Sequence, residues 1–460
     1  MAADYEQLIV KLVGCDGLEE LNDALTLCKE LIDEDADEVV DSKGNVLVKS
    51  RNPENVKKAL DYMLLIRRKC ADYLRAGISE AEPIYWESLR VAAPHDFDCF
   101  CRFIEKDRPP RRRFYEPRRK QLLPIAKAMQ RLEDNELDLL AISMPPGVGK
   151  TTLAIFYICW QSGLHPEMQN LIGSHNTEFL RGVYDEILRV CDHQGEYLWH
   201  EVFNSIHVSK TNAKSLRIDF GKTKRFETVE LTSLGSGNAG KVRATNLLYC
   251  DDLCEGIEQA LSVDRMNKLW QTYTVDLRQR KLGDRVKELH IQTRWSVNDV
   301  VGRLQELYED NPRAQFINIP ALDENGKSAF EYLYGNGYTT EMLEDIEHSM
   351  DDASFKALYM GEPVERRGLL FHPTELRRYY ELPEREPDAI LAVCDSKDRG
   401  EDFGVLIVAY QYGQDYYIHD AVCDNSKMDL VEAKFLETLI NNNAQTCQIE
   451  SNAAGGRVAV

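Results

Sequence analysis

The spacing of apolar residues divides the chain into a helical part and a longer part in which strands alternate with helices. In residues 1 to about 105, apolar positions recur at intervals of three and four, as at Leu21, Leu25 and Cys28, and this predicts amphipathic helices. Val56 to Leu74 follows the same pattern. Because no catalytic pattern occurs there, we expect an accessory helical region over residues 1–107.

Short apolar runs occur in the next part of the chain, near Leu139, Asn170, Thr245 and Val286, with helical spacing between them. Strands that alternate with helices predict a mostly parallel sheet covered by helices on both faces. Around Gly221, two segments that alternate apolar and polar residues predict a hairpin. We therefore expect an α/β domain over residues 108–365.

The last part of the chain predicts a second, smaller α/β domain over residues 366–460. One strand ends at Asp395, and two more strands follow over 403–410 and 415–420. A helix from Met428 to Asn441 then precedes a short strand that ends at Glu450.

The stretch LDLLAISMPPGVGKTTLA, residues 137–154, predicts a buried strand, a tight loop and the start of a helix. Glycines let the backbone N–H groups of such a loop surround phosphate, and the helix N-terminus adds the positive end of its dipole. Lys150 would reach the β/γ-phosphates of ATP, and the Thr151 hydroxyl would bind Mg²⁺. Met144 stands where the strict motif has glycine. The residues predicted to bind the nucleotide here are Gly147, Val148, Gly149, Lys150, Thr151 and Thr152.

A second strand predicts the rest of the nucleotide site. Four apolar or small residues from Leu247 lead to Asp251, which would hold Mg²⁺ as the partner of the phosphate loop. Asp252 is a candidate to activate the attacking water, and Glu255 is the alternative base. A plain strand that ends in an acidic turn remains the competing interpretation. Gln121, upstream of the loop, is a candidate for holding adenine, or else a surface residue.

Charge and cysteine content limit the other possibilities. A net charge of −21 argues against passive coating of nucleic acid but permits a local basic surface. Arg108 to Lys120 carries seven basic residues against Glu116 alone. Such a run is typical of a solvated face, with contact to phosphate or another subunit as the alternative.

The twelve cysteines form no CxxC pair, which favours free thiols. No apolar run could span a bilayer and no signal peptide is evident, so we expect a cytoplasmic protein without a membrane partner.

Several segments together resemble the large terminase subunit of tailed bacteriophages. They are SMPPGVGKTT, GNAGKVRATNLLYCDD, IQTRWSVNDVVGRL, FKALYMGEPVERRGLLF and the carboxyl-terminal acids, in the family's order. The resemblance implies that Thr293 and Arg294 couple ATP hydrolysis to movement. It also implies a ribonuclease-H-like nuclease domain in which Asp395 and Glu450 bind metal with support from Asp402. The chain departs from many members in having Gly147 in place of a basic residue and Leu253 in place of proline.

The resemblance implies an ATPase that packages double-stranded viral DNA into procapsids and a metal-dependent endonuclease that cuts concatemeric DNA. The implied cofactors are ATP and Mg²⁺, with Mg²⁺ or Mn²⁺ at the nuclease site. The implied partners are double-stranded DNA, the small terminase subunit, the portal protein and further copies of the chain in a ring. Such a subunit works in the host cytoplasm and transiently at the portal vertex, and is absent from the mature virion.

Two alternatives stay open. The chain stops at Val460, before the position of a further metal-binding Asp in the family, so we expect a truncated nuclease domain. The first alternative is therefore a helicase-like nucleic-acid ATPase without nuclease activity. The second is an inactive remnant that only binds partners.

Overall fold

The computed structural model describes residues 2–15, 17–34, 37–40, 46–235, 242–283, 285–364, 377–395 and 403–449. The chain divides into two compact units, Met1–Gly368 and Leu369–Val460. The first unit contains both the predicted helical region and the predicted ATPase domain. The boundaries at residues 107 and 365 therefore stay predictions.

The amino-terminal part of the first unit is a helical bundle with its own hydrophobic core. Its helices are α1 (Ala2–Gly14), α2 (Leu18–Asp33), α3 (Pro53–Arg75), α4 (Ala81–Ala92) and α5 (Phe97–Phe103). The Asn52 side chain accepts a hydrogen bond from the Glu54 N–H and so caps α3. The sequence interpretation missed one feature, an antiparallel ribbon of β1 (Asp37–Val40) and β2 (Val46–Ser50). Both strands are rich in valine, whose branched side chain favours extended backbone.

The rest of the first unit is built on a sheet whose described strands are arranged in the order β10-β3-β9-β8-β4-β7-β6-β5. Their bounds are β3 (Leu139–Ser143), β4 (Asn170–Ser174), β5 (Val208–Asn212), β6 (Arg217–Phe220), β7 (Val229–Ser233), β8 (Leu247–Asp251), β9 (Lys287–Gln292) and β10 (Ala314–Asn318). All neighbouring pairs from β10 to β7 are parallel. β6 pairs antiparallel with both β7 and β5, so the hairpin predicted around Gly221 is present as β6 and β7. The prediction of a mostly parallel α/β sheet is confirmed.

Helices cover both faces of this sheet, as predicted. They are α6 (Tyr115–Glu133), α7 (Lys150–Leu164), α8 (Thr177–Cys191), α9 (Trp199–Val202), α10 (Ile257–Ala260), α11 (Val263–Thr272), α12 (Val300–Leu307), α13 (Thr340–Ser349) and α14 (Asp352–Leu358). Along β3, Leu140 and Ile142 pack in the core that includes Phe156 of α7, whereas Leu139 and Ala141 pack in the core that includes Leu304 of α12. Both sets are buried, which explains the unbroken apolar run in the sequence.

The second unit has a smaller sheet in the order β13-β12-β11-β14. Its elements are β11 (Ala389–Asp395), β12 (Gly404–Tyr412), β13 (Asp415–Asp424), α15 (Met428–Asn441) and β14 (Thr446–Ile449). β12 pairs antiparallel with both β11 and β13, while β14 pairs parallel with β11 after the crossover through α15. Across the described ranges of both units, the helices are too short or too polar to cross a bilayer.

Candidate functional site

The loop of residues 144–149 connects β3 to α7 at the carboxyl edge of the sheet. Gly147 and Gly149 adopt left-handed backbone conformations, with φ of 74° and 101°. A Cβ atom on Gly149 would overlap the ring of Phe114, so both conformation and space require glycine there. No side chain caps the start of α7. The first N–H groups of α7 therefore lack a side-chain acceptor, as a phosphate site requires.

Lys150 occupies the centre of the site and is buried. Its Nζ atom lies 3.3 Å from the carbonyl oxygen of Met144, donates to the hydroxyl of Thr293, and lies 3.9 Å from Oδ2 of Asp252. The ammonium group is thus held between the phosphate loop and the ends of β8 and β9. Thr293, given a coupling role by resemblance, directly contacts the lysine of the loop.

The carboxylate of Asp251 is fully buried at the end of β8. Its Oδ1 atom lies 3.5 Å from the hydroxyl of Thr151, and its Oδ2 atom accepts a hydrogen bond from Tyr249. Burial, followed by the neighbouring charge of Asp252, raises the pKa of Asp251 to about 7. A hydroxyl beside a carboxylate fits Mg²⁺, which usually keeps several waters and takes its other oxygens from nucleotide phosphates. Within the described ranges, no cluster of three or more His, Cys, Asp or Glu suited to a metal occurs.

Asp252 has an unusual backbone, with φ of 38° at a residue other than glycine. Its Oδ1 atom accepts the N–H of Thr293 at 2.7 Å, and its carbonyl oxygen contacts Nδ1 of His175, the residue that follows β4. These contacts hold its carboxylate beside Lys150. Glu255, by contrast, is exposed, and the contact found for it joins its N–H to Gln259 at 2.9 Å. Of the two candidate bases, the structure brings Asp252 to the loop.

Arg294 is held by Asp299. Its Nε atom lies 3.2 Å from Oδ1 and 3.0 Å from Oδ2 of Asp299, which in turn caps α12 through the Gly302 N–H at 2.8 Å. Both partners of this ion pair are buried. The segment after β9 is therefore one rigid element that carries Thr293 at one end and α12 at the other.

Aromatic residues and an arginine that the sequence interpretation missed surround the loop. The guanidinium of Arg118, on α6, lies 5.1 Å from the ring centre of Phe114 and 4.9 Å from that of Tyr332. Its Nε atom is buried without a hydrogen-bond partner in the described residues. Tyr332 donates to the Val148 carbonyl at 3.4 Å, and Tyr338 to the Pro146 carbonyl at 3.0 Å. Gln121 is half-buried one turn after Arg118, and its adenine role stays a prediction.

The carboxyl-terminal acids are described only in part. Asp395 is the last residue of β11, whereas Asp402 and Glu450 lie outside the described residues. β14 runs parallel to β11, and its last residue, Ile449, pairs with Cys394. The carboxyl ends of the two strands therefore lie side by side.

Comparison with known proteins gives matches among solved structures only. No protein-family model matches the chain, and no curated protein matches it. Bacteriophage large terminases are among the solved structures similar to this chain. The large terminase of bacteriophage HK97 aligns over 70% of this chain and 74% of its own, with 13% identity and a TM-score of 0.36. That of a thermophilic bacteriophage in complex with ADP aligns over the same shares, with 11% identity and a TM-score of 0.34.

A third similar structure is the ATPase domain of the Thermus phage P74-26 large terminase, in a variant form. It aligns over 50% of this chain and 90% of its own, with 13% identity and a TM-score of 0.35. Likenesses at these identities and TM-scores assign no role to single residues. The roles of Lys150 and its neighbours therefore rest on their geometry.

The sequence contains a signal for some of the missed residues. His175 directly follows a buried strand at the edge where ligands of parallel sheets bind, the edge where Asp251 and Arg294 also lie. Tyr249 lies inside an apolar strand, and only its alternation with Asp251 on one side of β8 indicates contact. Tyr332 and Tyr338 follow the loop by more than 180 residues, and no local pattern connects them with it.

Proposed function

We propose that this chain is the ATP-hydrolysing motor subunit that drives double-stranded viral DNA into a preformed capsid. The observation that carries the proposal is the convergence at Lys150, where the ammonium group donates to Thr293 and lies 3.9 Å from Asp252. This contact joins the phosphate loop to the segment that resembles the coupling element of terminase large subunits. The packaging role and the DNA substrate come from that sequence resemblance.

In this proposal, residues 147–152 surround the phosphates of ATP, and Lys150 neutralises the β/γ-phosphates. Thr151 and Asp251 hold Mg²⁺, which when bound neutralises phosphate charge. Asp252 orients the attacking water, because its carboxylate is fixed by the Thr293 N–H and lies at the loop. Glu255 is the second candidate for that role, and Thr293 with Arg294 transmits the outcome to α12.

We also propose that the second unit cuts concatemeric DNA as a ribonuclease-H-like nuclease. Asp395, Asp402 and Glu450 would bind Mg²⁺ or Mn²⁺, and a pair of such ions stabilises the attacking and leaving oxygens of a phosphodiester. Support comes from the strand order of the second unit and from the adjacent carboxyl ends of β11 and β14. Under this proposal residues 1–107, 108–365 and 366–460 are three functional parts.

The proposed partners follow from the same resemblance. They are the small terminase subunit, the portal protein and further copies of this chain in a ring around DNA. The protein would act in the host cytoplasm and, during packaging, at the portal vertex.

The test of the motor is ATP hydrolysis by the purified chain and by Lys150→Ala. We expect the variant to lose at least about 100-fold in turnover, because the charge that stabilises the transferred phosphoryl group is removed. Lys127→Ala, an exposed lysine on α6, is the matched control and should keep full turnover. Absence of turnover in the unaltered chain would favour the inactive remnant.

The test of the nuclease is cleavage of duplex DNA in Mg²⁺ or Mn²⁺. Asp395→Ala should abolish cleavage and leave ATP turnover unchanged, because the two sites use different residues. ATP turnover without any cleavage by the unaltered chain would favour the helicase-like ATPase.

A further inference from the structure

Three of the seven basic residues in the run 108–120 pair with carboxylates inside the first unit. Arg108 pairs with Glu105 at 3.1 Å, and Arg119 pairs with Asp98 at 2.7 Å. Arg112 lies 3.5 Å from Glu196. The guanidinium of Arg113 donates to backbone carbonyls, as does that of Arg118. Five of the seven basic residues in the run are therefore engaged in contacts inside the first unit.

A second basic segment is less obvious in the sequence. Residues 203–226 include β5, β6 and the turn between them, here called the β5–β6 ribbon. They contain six lysines and arginines and one acid, Asp219. That acid is fully buried and pairs with Lys224 at 2.7 Å. The surface of the ribbon therefore has no exposed acid of its own, in a chain of net charge −21.

Three basic residues of the ribbon have a carboxylate partner, and three have none among the described residues. Besides Lys224, Lys210 pairs with Glu227 at 3.2 Å and Arg217 pairs with Glu230 at 2.9 Å. The other three are exposed and have no carboxylate partner within the described ranges. They are Lys214, Lys222 and Arg225.

Protection of a sheet edge does not account for these three charges. Lysines on an exposed edge strand often prevent pairing with other chains, and β5 is the last strand of the sheet. Lys214, however, lies in the turn, and Lys222 and Arg225 follow β6. Their charges lie outside the edge strand, so they are available to an external anion.

The surroundings of these charges fit a phosphate backbone. The exposed neighbours are small polar residues, among them Thr211, Asn212, Ser215 and Thr223. The one aromatic ring at the end of the ribbon, Phe226, is half-buried and covered by the guanidinium of Arg243 at 3.6 Å. Bases of a single strand bind by stacking on exposed rings, and of the rings in the ribbon only that of His207 is exposed. Lysine, arginine and small hydroxyl or amide side chains are the usual phosphate contacts of duplex DNA.

We propose that the β5–β6 ribbon is a contact surface for the phosphate backbone of duplex DNA, formed by Lys214, Lys222 and Arg225. The inference rests on the proposed packaging function for the identity of the polyanion. Because the rest of the chain is acidic, a basic surface here would also favour one orientation of the approaching DNA. Contacts of this kind carry no base sequence information, as packaging of a whole genome requires.

The experiment measures the dissociation constant of a fluorescein-labelled duplex by anisotropy as a function of NaCl concentration. The ribbon variant carries Lys214→Gln, Lys222→Gln and Arg225→Gln. We expect the slope of log Kd against log[NaCl] to become shallower by about 2.7, which is about 0.9 for each phosphate no longer contacted. The charge-matched control carries Lys11→Gln, Lys57→Gln and Lys127→Gln, all exposed outside the ribbon, and should keep the original slope.

An unchanged slope in the ribbon variant, or an equal fall in the control, would overturn the inference. So would a loss confined to one duplex sequence or to a single-stranded oligonucleotide. If the triple variant does not fold, Lys222→Gln alone should make the slope shallower by about 0.9. Measurement of ATP turnover separates the two proposals. If the slope is unchanged and turnover depends on Lys150, only the ribbon proposal is rejected. A changed slope without ATP turnover rejects only the motor.

Discussion

Removing one hydroxyl group, in Tyr249→Phe, should shift the pH dependence of ATP hydrolysis to higher pH. That hydroxyl donates to Oδ2 of Asp251, the carboxylate that also meets Thr151. Burial raises the pKa of Asp251 to about 7, and the bond from Tyr249 opposes this rise because it favours the ionised form. Only the ionised carboxylate can hold Mg²⁺, so turnover should fall as the proton binds.

The size of the shift follows from the strength of that hydrogen bond. A bond to a charged group contributes about 1.5–3 kcal/mol, and one pKa unit corresponds to about 1.4 kcal/mol. The variant should therefore raise the pKa of Asp251 by about 1 to 2 units. At pH 7 the ionised fraction would fall from about one half to about one tenth or less. The acid limb of the rate profile should move upward by the same interval.

The assay is steady-state ATP hydrolysis between about pH 6 and about pH 9, at limiting and at saturating Mg²⁺. Tyr157→Phe is the matched control, because the Tyr157 hydroxyl is buried and has no hydrogen-bond partner within the described residues. The variant should need more Mg²⁺ at pH 7 and approach normal turnover at high pH. Coincident profiles for Tyr249→Phe and the unaltered chain, or an equal shift in Tyr157→Phe, would refute the reasoning.

Two further predictions concern the phosphate loop and the acid stability of the first unit. Gly149→Ala should weaken ATP binding at least about tenfold in a nucleotide titration, because the left-handed backbone and the Phe114 ring both exclude a Cβ atom. The control is Gly77→Ala, because Gly77 is also left-handed but lies in open space. This control should cost about 1 kcal/mol of stability and leave nucleotide binding intact. Burial alone would raise the pKa of Glu133, but His165 and Lys287 outweigh it and lower that pKa to about 2. The ionised Glu133 carboxylate therefore stabilises the folded state by about 3 kcal/mol. This contribution should be present above about pH 4.5 and disappear toward pH 2. Urea unfolding of Glu133→Gln should show a flatter dependence on pH in that range, and an unchanged acid limb would contradict the assignment.

The strand, the loop with left-handed glycines and the helix start over residues 137–154 could be predicted because their physics is local. Left-handed glycines, a lysine that follows them and a helix start all lie within a few residues of one another. Asp251 could be predicted for a related reason, since a buried strand that ends in an acid is itself a short pattern. Which of Asp252 and Glu255 lies beside the loop could not be predicted from a local pattern. It depended on the Thr293 N–H, which binds Asp252 at 2.7 Å from another strand.

The two basic segments show that the pairing of charges also depends on contacts between distant parts of the chain. Sequence alone selects residues 108–120, because seven basic residues stand close together there. Folding supplies Asp98, Glu105 and Glu196 as their partners. The β5–β6 ribbon is the opposite case, because its one acid is buried and leaves no negative charge on the surface of the ribbon. A count of charges along a chain cannot tell paired from unpaired ones, since partners come from distant segments.

The sequence by itself thus determined the α/β class, the parallel sheet and the position of the glycine loop before α7, because these follow from periodicity and from glycine and lysine at fixed spacing. Tertiary structure alone decided what the loop touches. Lys150 and Thr293 are 143 residues apart and meet only because β3 and β9 are neighbours in the sheet. That strand order follows from packing of both faces of the sheet, a property that no single segment contains.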